Sequence, residues 1–440
     1  MITKTFQESG LAFQSPEVIS ARRNEIFLHH VAYLAARSPF YQHKFAKEKI
    51  DIRDIKTIDD LPGLPLTDKA DLAGAADEFL CVPPEQVVDF CLTSGTTGAP
   101  VPLQQTAADL QRLAFNEEIS FRGAGIASGD RVLIAVALDR CFMAGLAYFL
   151  GLLRIGALAI RGGSGSLPVL AELARRYRPT AIIGVPTLLL RLAERLAGSG
   201  NDPTAMGVKR LICIGEPVRD RGLALSALGD RLANLWQASL YGTYASTEMA
   251  TSFSDCCAGR GGHVPAELVA VEILDDKGRP LPAGEAGEVV ATPFQVTGMP
   301  LLRFRTGDIA VFHEDPCPCG RRTPRLGPVL GRLSQMLKVR GTTFFPQSIF
   351  SVLEEVEEVR GYYLEVFDEF DLSDRVRVVV GATDGTLDAK ALGDRLAASL
   401  RVRPEVLVLP PEEVQLKTHS AEKRKPMTFF DYRRQTLSGR

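Results

Sequence analysis

The chain has 440 residues, 45% hydrophobic and 24% charged, the make-up of an ordinary globular protein of two or three domains, which excludes a disordered chain, a collagen-like repeat and a small disulfide scaffold. Its 51 Lys and Arg against 53 Asp and Glu leave a net charge of −2, so no overall field favours nucleic acid or anionic lipid. A small-molecule substrate is expected, with no nucleic-acid and no membrane partner.

The first residues, MITKTFQESGLAFQSPE, lack an apolar stretch behind a basic start, so no signal peptide is read and a cytoplasmic protein is expected. Residues 17–48 predict a helix, with Ile19, Ile26, Phe27, Tyr33 and Leu34 along one face. Apolar strands then alternate with helices. RVLIAVAL (131–138), GALAIRGG (156–163), TAIIGVP (180–186) and KRLICIGEP (209–217) read as strands, and 141–154, 172–179 and 187–198 as the helices between them. That alternation predicts a parallel, doubly wound α/β sheet whose ligands sit at the carboxyl ends of its strands. The stretch 141–160 is the most membrane-like, but its apolar run stops before Arg154, short of the ~20 residues a spanning helix needs. A buried helix is predicted there, its Gly145, Gly151 and Gly156 suited to close packing on a sheet.

After about residue 264 the pattern changes to antiparallel strands joined by Gly, Pro and Asp turns: 267–274, 285–294 and 300–312. Beyond 333 a small α+β region is predicted, with helices at 347–358 and 388–401 and strands at 362–367, 375–382 and 404–409. The expected organisation is thus a large α/β domain with a β-rich subdomain, residues 1–332, and a small α+β domain, residues 333–440.

The sharpest local signal is LTSGTTGAPVP. Thr93, Ser94, Gly95, Thr96, Thr97 and Gly98 combine hydroxyl donors with glycines whose backbone N–H groups can converge on an anion. This is a phosphate cradle, although not a Walker A loop, because no Gly-Lys-Ser/Thr follows. Further along the chain come IGEP (214–217), YASTE (244–248), RFRTGD (303–308) and GRLSQMLKVRG (331–341). In this order the motifs resemble those of the adenylate-forming, acyl-CoA synthetase superfamily, nearest to its phenylacetate–CoA ligase family, over almost the whole chain.

The resemblance implies ATP or AMP, Mg²⁺ and coenzyme A as ligands, a carboxylic acid as substrate, and a small C-terminal domain that moves as a lid. It implies that Gly215, Glu216 and Pro217 flank the adenine, that Tyr244 packs on its ring and that Thr247 bonds the α-phosphate. Glu248 would hold Mg²⁺, Asp308 the ribose hydroxyls, and Arg332 the ribose or phosphate. Ala245 replaces the family's glycine, and Ser334 stands where its hinge usually carries an acid. Aligning FFD (429–431) with the family's tail places the adenylation lysine at Lys425, with Lys423 as the alternative. Phe142, Met143 and GVPT (184–187) stand where relatives line the acid pocket, and core packing explains them equally well.

Eight cysteines in a chain this long do not make a disulfide framework. Cys81, Cys91, Cys141 and Cys213 are isolated among apolar residues and read as core. DCCAGRGGH and PCPCG supply Cys256 or Cys257, His263, Cys317 and Cys319, three thiolates and an imidazole suited to a closed structural Zn²⁺ site. The family spacing selects Cys256. The activity expected is ATP-dependent acid–CoA ligation on an aryl or other apolar acid. The alternatives are an adenylyltransferase that leaves AMP on its acceptor and a silent AMP-binding protein, and the oligomeric state is open between monomer and homodimer.

Overall fold

The computed structural model describes residues 10–93, 100–339, 342–369, 373–383, 385–419 and 427–433. The chain divides into two compact units, residues 1–329 and 330–440.

The first unit opens with two helices where the sequence suggested one. Helix α1 (Pro16–Arg37) and helix α2 (Pro39–Glu48) share Ser38, whose N–H closes the first on Leu34 and whose Oγ accepts from Tyr41 N to open the second. Pro39 cannot continue a helix from within but is well suited to its first turn. A short helix α3 (Lys69–Gly74) follows, and then a hairpin of β1 (Val87–Leu92) and β2 (Pro102–Thr106). Helix α4 (Ala107–Gly123) went unassigned in the sequence. It opens on a reciprocal cap between Thr106 and Asp109 and buries polar residues on several faces, so its periodicity is blurred.

The main sheet takes β3 (Arg131–Ala135), β4 (Leu158–Arg161), β5 (Ala181–Gly184), β6 (Arg210–Ile214), β7 (Ser239–Ser246) and β8 (Thr251–Ser254), in the order β4-β3-β5-β6-β7-β8. All neighbours are parallel except the β7–β8 pair at the edge. Helices α5 (Met143–Ile155), α6 (Leu167–Tyr177), α7 (Pro186–Gly198) and α8 (Ala227–Trp236) cover it. Alternate residues of each strand enter different cores. Leu133, Ile182 and Leu211 pack with Leu170, Leu189, Leu192 and Trp236, while Val132, Ile134, Ile183 and Ile212 pack with Phe121, Tyr148 and Leu152. This is the doubly wound arrangement, and each fully buried Leu or Ile contributes about 1.5–3 kcal/mol.

Helix α5 is the apolar stretch read above as a buried helix, and among the described residues no helix is long and apolar enough to cross a membrane. Gly145 packs closely as expected, a Cβ there lying 2.0 Å from the carbonyl oxygen of Ala137 just beyond β3, while the other two glycines act otherwise. Gly151 lets α4 approach, since a Cβ there would lie 2.4 Å from Glu117 Cβ, and Gly156 ends the helix at φ 80°. Cys81, Cys91 and Cys213 are buried as expected, whereas Cys141 is exposed in a turn at φ 54°.

A second sheet, order β10-β11-β12-β13-β9, holds β9 (Gly262–His263), β10 (Val269–Leu274), β11 (Ala286–Pro293), β12 (Phe304–His313) and β13 (Arg325–Leu326), all antiparallel. Residues 300–303, read as part of a strand, precede β12. Arg303 there takes a φ of 45° and sends its guanidinium to Glu272 and to the carbonyls of Pro62 and Leu64.

The second unit begins with the short strands β14 (Gly331–Arg332), β15 (Leu337–Val339) and β16 (Thr342–Phe344). Its sheet runs β19-β18-β17-β20 through β17 (Tyr362–Glu369), β18 (Ser373–Gly381), β19 (Glu405–Leu409) and β20 (Phe429–Asp431). Helices α9 (Pro346–Glu354) and α10 (Ala389–Leu400) close the core around Leu364, Val366, Val376 and Val378, and α11 (Pro411–Thr418) packs Val414 against Tyr363 and Val379.

Candidate active site and metal-ligand cluster

The phosphate-cradle motif begins where β1 ends. Thr93 is buried and clamps the base of the loop: its N–H donates to Val101 O at 3.1 Å, and its Oγ1 accepts from Val101 N at 3.0 Å. Ser94, Gly95, Thr96, Thr97 and Gly98 lie outside the described residues. The same holds for Lys423 and Lys425.

Two further motifs of the first unit, IGEP and YASTE, lie at strand ends of the main sheet, and the third places Asp308 within β12. Gly215, Glu216 and Pro217 follow β6, the turn made possible by Gly215 at φ 76°. Both carboxylate oxygens of Glu216 are engaged by Thr187. Tyr244 lies near the end of β7, stacked on Phe253 at 5.9 Å, and its hydroxyl donates to Asp308 Oδ2 at 3.0 Å. Asp308 is buried, its own N–H donating to Thr306 Oγ1, while Gly307 N donates to Glu288. Two motifs 64 residues apart are thereby brought together. Ala245 pairs with Ser252 in regular strand geometry, so alanine costs nothing in backbone strain there.

Thr247 and Glu248 are half-buried in the turn after β7, which closes through Ala250 N on Thr247 O. Arg112 on α4 supports that turn. Fully buried, it donates to the carbonyls of Ala250, Leu268 and Phe294 and to Thr251 Oγ1. Burial pushes its pKa down to about 10, so it stays cationic at neutral pH. Sequence reasoning missed Arg112 because α4 itself was not read, and no motif marks it. Met143, a candidate pocket residue, packs beneath this turn with Cys91, Leu113 and Ala250. Arg332 and Ser334 belong to the second unit, half-buried in β14 and exposed in the short 3₁₀ turn that follows.

The cysteine motifs converge too. The ligand atoms of Cys256, His263, Cys317 and Cys319 all lie within 4.8 Å of one another, while Cys257 is exposed. Cys256 Sγ is 3.6 Å from Cys317 Sγ, too far for a disulfide, and Cys319 Sγ is 3.3 Å from His263 Nε2. A tetrahedral zinc ion with bonds of about 2.3 Å to sulfur and 2.0 Å to nitrogen calls for edges of roughly 3.8 and 3.5 Å, so the donors fit. The second shell fits as well. His263 Nδ1 faces Thr323 O at 3.1 Å and Oγ1 at 3.2 Å, which leaves Nε2 to the cluster. Burial, with the charge of Arg321, pushes this imidazole down to about 4, so it is neutral at neutral pH, the form a metal binds. Burial raises Cys256 to about 12. At Cys319 burial acts in the same sense but is outweighed by the backbone N–H and guanidinium of Arg321, which hold the thiol below its usual range.

Residues 30–298 match the family model described as AMP-binding enzyme. The phenylacetate–coenzyme A ligase of Thermus thermophilus is 31% identical over 353 residues, 79% of this chain and 78% of that one. The Escherichia coli enzyme of the same name is 28% identical over 333 residues, 74% of each chain. Among solved structures, a 2-hydroxyisobutyryl-CoA ligase bound to an acyl-AMP is similar in fold, with a TM-score of 0.82 at 22% identity over 96% of this chain and 90% of that one.

Proposed function

The chain belongs to the AMP-binding enzyme family, and on that premise we propose that it is an ATP-dependent acid–CoA ligase of the phenylacetate–CoA ligase kind. A carboxylate oxygen of the acid attacks the α-phosphorus of ATP, the bond to the bridging oxygen breaks, and pyrophosphate leaves with its electron pair. The thiol sulfur of coenzyme A then attacks the acyl carbon, AMP departs, and the thiol proton passes to solvent. No side chain forms a covalent bond to substrate. The protein contributes position and charge.

Asp308 receives the ribose hydroxyls, an acceptor task suited to a buried carboxylate. Tyr244 packs on the adenine beside the Gly215–Pro217 turn, and Thr247 and the Thr93–Gly98 loop bond the phosphates. Lys425, or Lys423 in its place, neutralises charge developing at the α-phosphate. Arg332 and the second unit act as the lid, carrying ribose or phosphate contacts into the closed state. Glu248 offers a hard oxygen donor and would hold Mg²⁺, which when bound screens the triphosphate; a single carboxylate is enough for an ion that keeps waters and phosphate oxygens as its other ligands. Cys256, His263, Cys317 and Cys319 would hold a structural Zn²⁺, which supplies cross-linking rather than chemistry. The acid is an aryl or other apolar carboxylate.

The observation that carries this reading is the Tyr244–Asp308 hydrogen bond, which joins a motif near the carboxyl end of β7, where such sheets bind ligands, to one within β12. A panel of carboxylic acids scored for pyrophosphate release, with and without coenzyme A, tests it. An aryl acid should drive release and yield a thioester plus AMP. A stable AMP ester as sole product, or no acid-dependent release, rejects it.

A further inference from the structure

Helix α7 starts without a cap of its own. Its N-cap residue, Val185, offers no side-chain acceptor, and Pro186 has no N–H. The first N–H in need of a partner is that of Thr187, and the partner comes from 29 residues away. Glu216 Oε2 accepts from Thr187 N at 3.0 Å, and Glu216 Oε1 accepts from Thr187 Oγ1 at 2.9 Å. The carboxylate also meets the positive end of the helix dipole.

This clamp has a defined place in the sheet. Strands β5 and β6 are adjacent and parallel, with Gly184 opposite Cys213, and the two loops leaving their carboxyl ends are GVPT and IGEP. With both its oxygens held by Thr187, the Glu216 carboxylate is oriented towards the neighbouring loop. A contact that ties two ligand-bearing loops together makes the position of each depend on the other.

We propose that Glu216 is a positioning residue that couples the acid loop to the nucleotide turn: its two hydrogen bonds to Thr187 set the spacing of the two loops, so that loosening either loop weakens binding at both. The proposal rests on the assignment above of IGEP to the nucleotide and GVPT to the acid. It sets Glu216 apart from Gly215 and Pro217, which act through the backbone of the turn.

The test is a cycle of ATP-binding calorimetry on the full chain, with Thr187→Val, Thr187→Ser, Glu216→Ala and the Thr187→Val/Glu216→Ala double variant. Thr187→Val, which loses the Oγ1 bond and keeps the N–H one, should weaken ATP binding roughly 5–10-fold although it lies on the other loop; Glu216→Ala, which loses both, should weaken it at least as much, and Thr187→Ser should bind as the unaltered chain does. The double variant should be no worse than Glu216→Ala alone, since that variant has already lost both bonds. Melting temperatures within a few degrees of the unaltered chain separate this from general loosening. Should Thr187→Val fold poorly, Glu216→Ala decides alone: its KM should rise for the acid as well as for ATP, with kcat held. Unchanged ATP affinity in Thr187→Val or Glu216→Ala, or losses that multiply in the double variant, overturns the coupling. If no acid drives pyrophosphate release, the ligase reading fails while the calorimetric cycle still decides whether the two loops are linked.

Discussion

The strand-end site and the cysteine–histidine cluster are built on opposite plans. At the strand-end site each candidate side chain sits on a different element, Tyr244 on β7, Asp308 on β12, Glu216 in the turn after β6 and Thr187 in the first turn of α7, and gains its partner from far along the sequence: Tyr244 with Asp308, Glu216 with Thr187. The cluster is closed and self-sufficient, with four donors within 4.8 Å and a turn N–H group supporting its sulfurs at both Cys256 and Cys319. A site that must admit and release ligands needs loops that can move, whereas a site that only cross-links needs none. Strand β8 joins the two, leaving the Thr247–Glu248 turn at one end and reaching Cys256 at the other. Damage should therefore look different at each: lost chemistry at the strand ends, lost stability at the cluster.

Lys425→Ala should show the widest gap. If the ammonium acts only on the α-phosphate, adenylate formation falls by about 10²–10³-fold, the scale for removal of one charge-stabilising donor, while thioester formation from supplied acyl-adenylate is largely kept. Rapid-quench assay of the two half-reactions reads this directly. The same split found in Lys423→Ala and absent from Lys425→Ala would move the role by two residues.

At the cluster the expected order is reversed. Cys317→Ser/Cys319→Ser should lose its metal, which elemental analysis detects as a drop from about one Zn²⁺ per chain to none. The melting temperature should fall by roughly 10 °C, at about 2–4 °C per kcal/mol. Activity at low temperature should decline less than stability does, through the loosened β8 link. A double variant that melts and turns over like the unaltered chain would make the cluster incidental.

What could be read from sequence divides along the same line. The cluster's donors stand in two short segments that residue chemistry marks, with the family spacing choosing Cys256 over Cys257. The strand-end motifs are legible because hydroxyl, glycine and carboxylate residues recur in a recognisable order. The doubly wound sheet follows from apolar runs alternating with helices, and the structure matches it strand for strand from β3 to β6. The supports were not legible. Arg112 and Asp109 sit on α4, whose buried polar residues erase the helical period, and their partners at Ala250, Leu268, Thr297 and Gly298 are 138 to 189 residues away. A contact of that span leaves no local pattern. Pro39 does leave one, since a proline cannot continue a helix from within and divides 17–48 into two.

Between the two regions lies Glu117, whose titration tests the β8 link. It is fully buried on α4 against Gly151 and Ser252, and one of its carboxyl oxygens has no hydrogen-bond partner among the described residues. Burial pushes its pKa from the ordinary carboxyl value of 4.5 up to about 8, with a Ser252 hydrogen bond opposing. Folding therefore favours the protonated acid. Its stabilising contribution is complete below about pH 4.5 and is lost as the pH rises through about 8, a loss on the order of 5 kcal/mol. Glu117→Gln should flatten the fall of melting temperature between pH 5 and 9. An unchanged pH profile would show that Glu117 does not titrate in that window.

The smallest effect expected is also the most local. Tyr244→Phe keeps the ring against Phe253 and removes only the hydroxyl that donates to Asp308 at 3.0 Å. Asp308 must then hold its orientation for the ribose without that donor, and a single hydrogen bond to a charged group contributes about 1.5–3 kcal/mol, part of which water recovers. Affinity for ATP should fall by roughly fivefold, about 1 kcal/mol, with adenylate formation at saturating ATP nearly unchanged, because the ribose is bound alike in ground and transition states. The metal content and melting temperature should stay as they are, since nothing in the cluster touches this pair. A loss confined to kcat would mean that Tyr244 aligns the phosphates rather than the ribose carboxylate. A fall in melting temperature as large as that of the cysteine variants would mean that the strand-end site stabilises the fold as much as the cluster does, and the division of labour between the two regions would not stand.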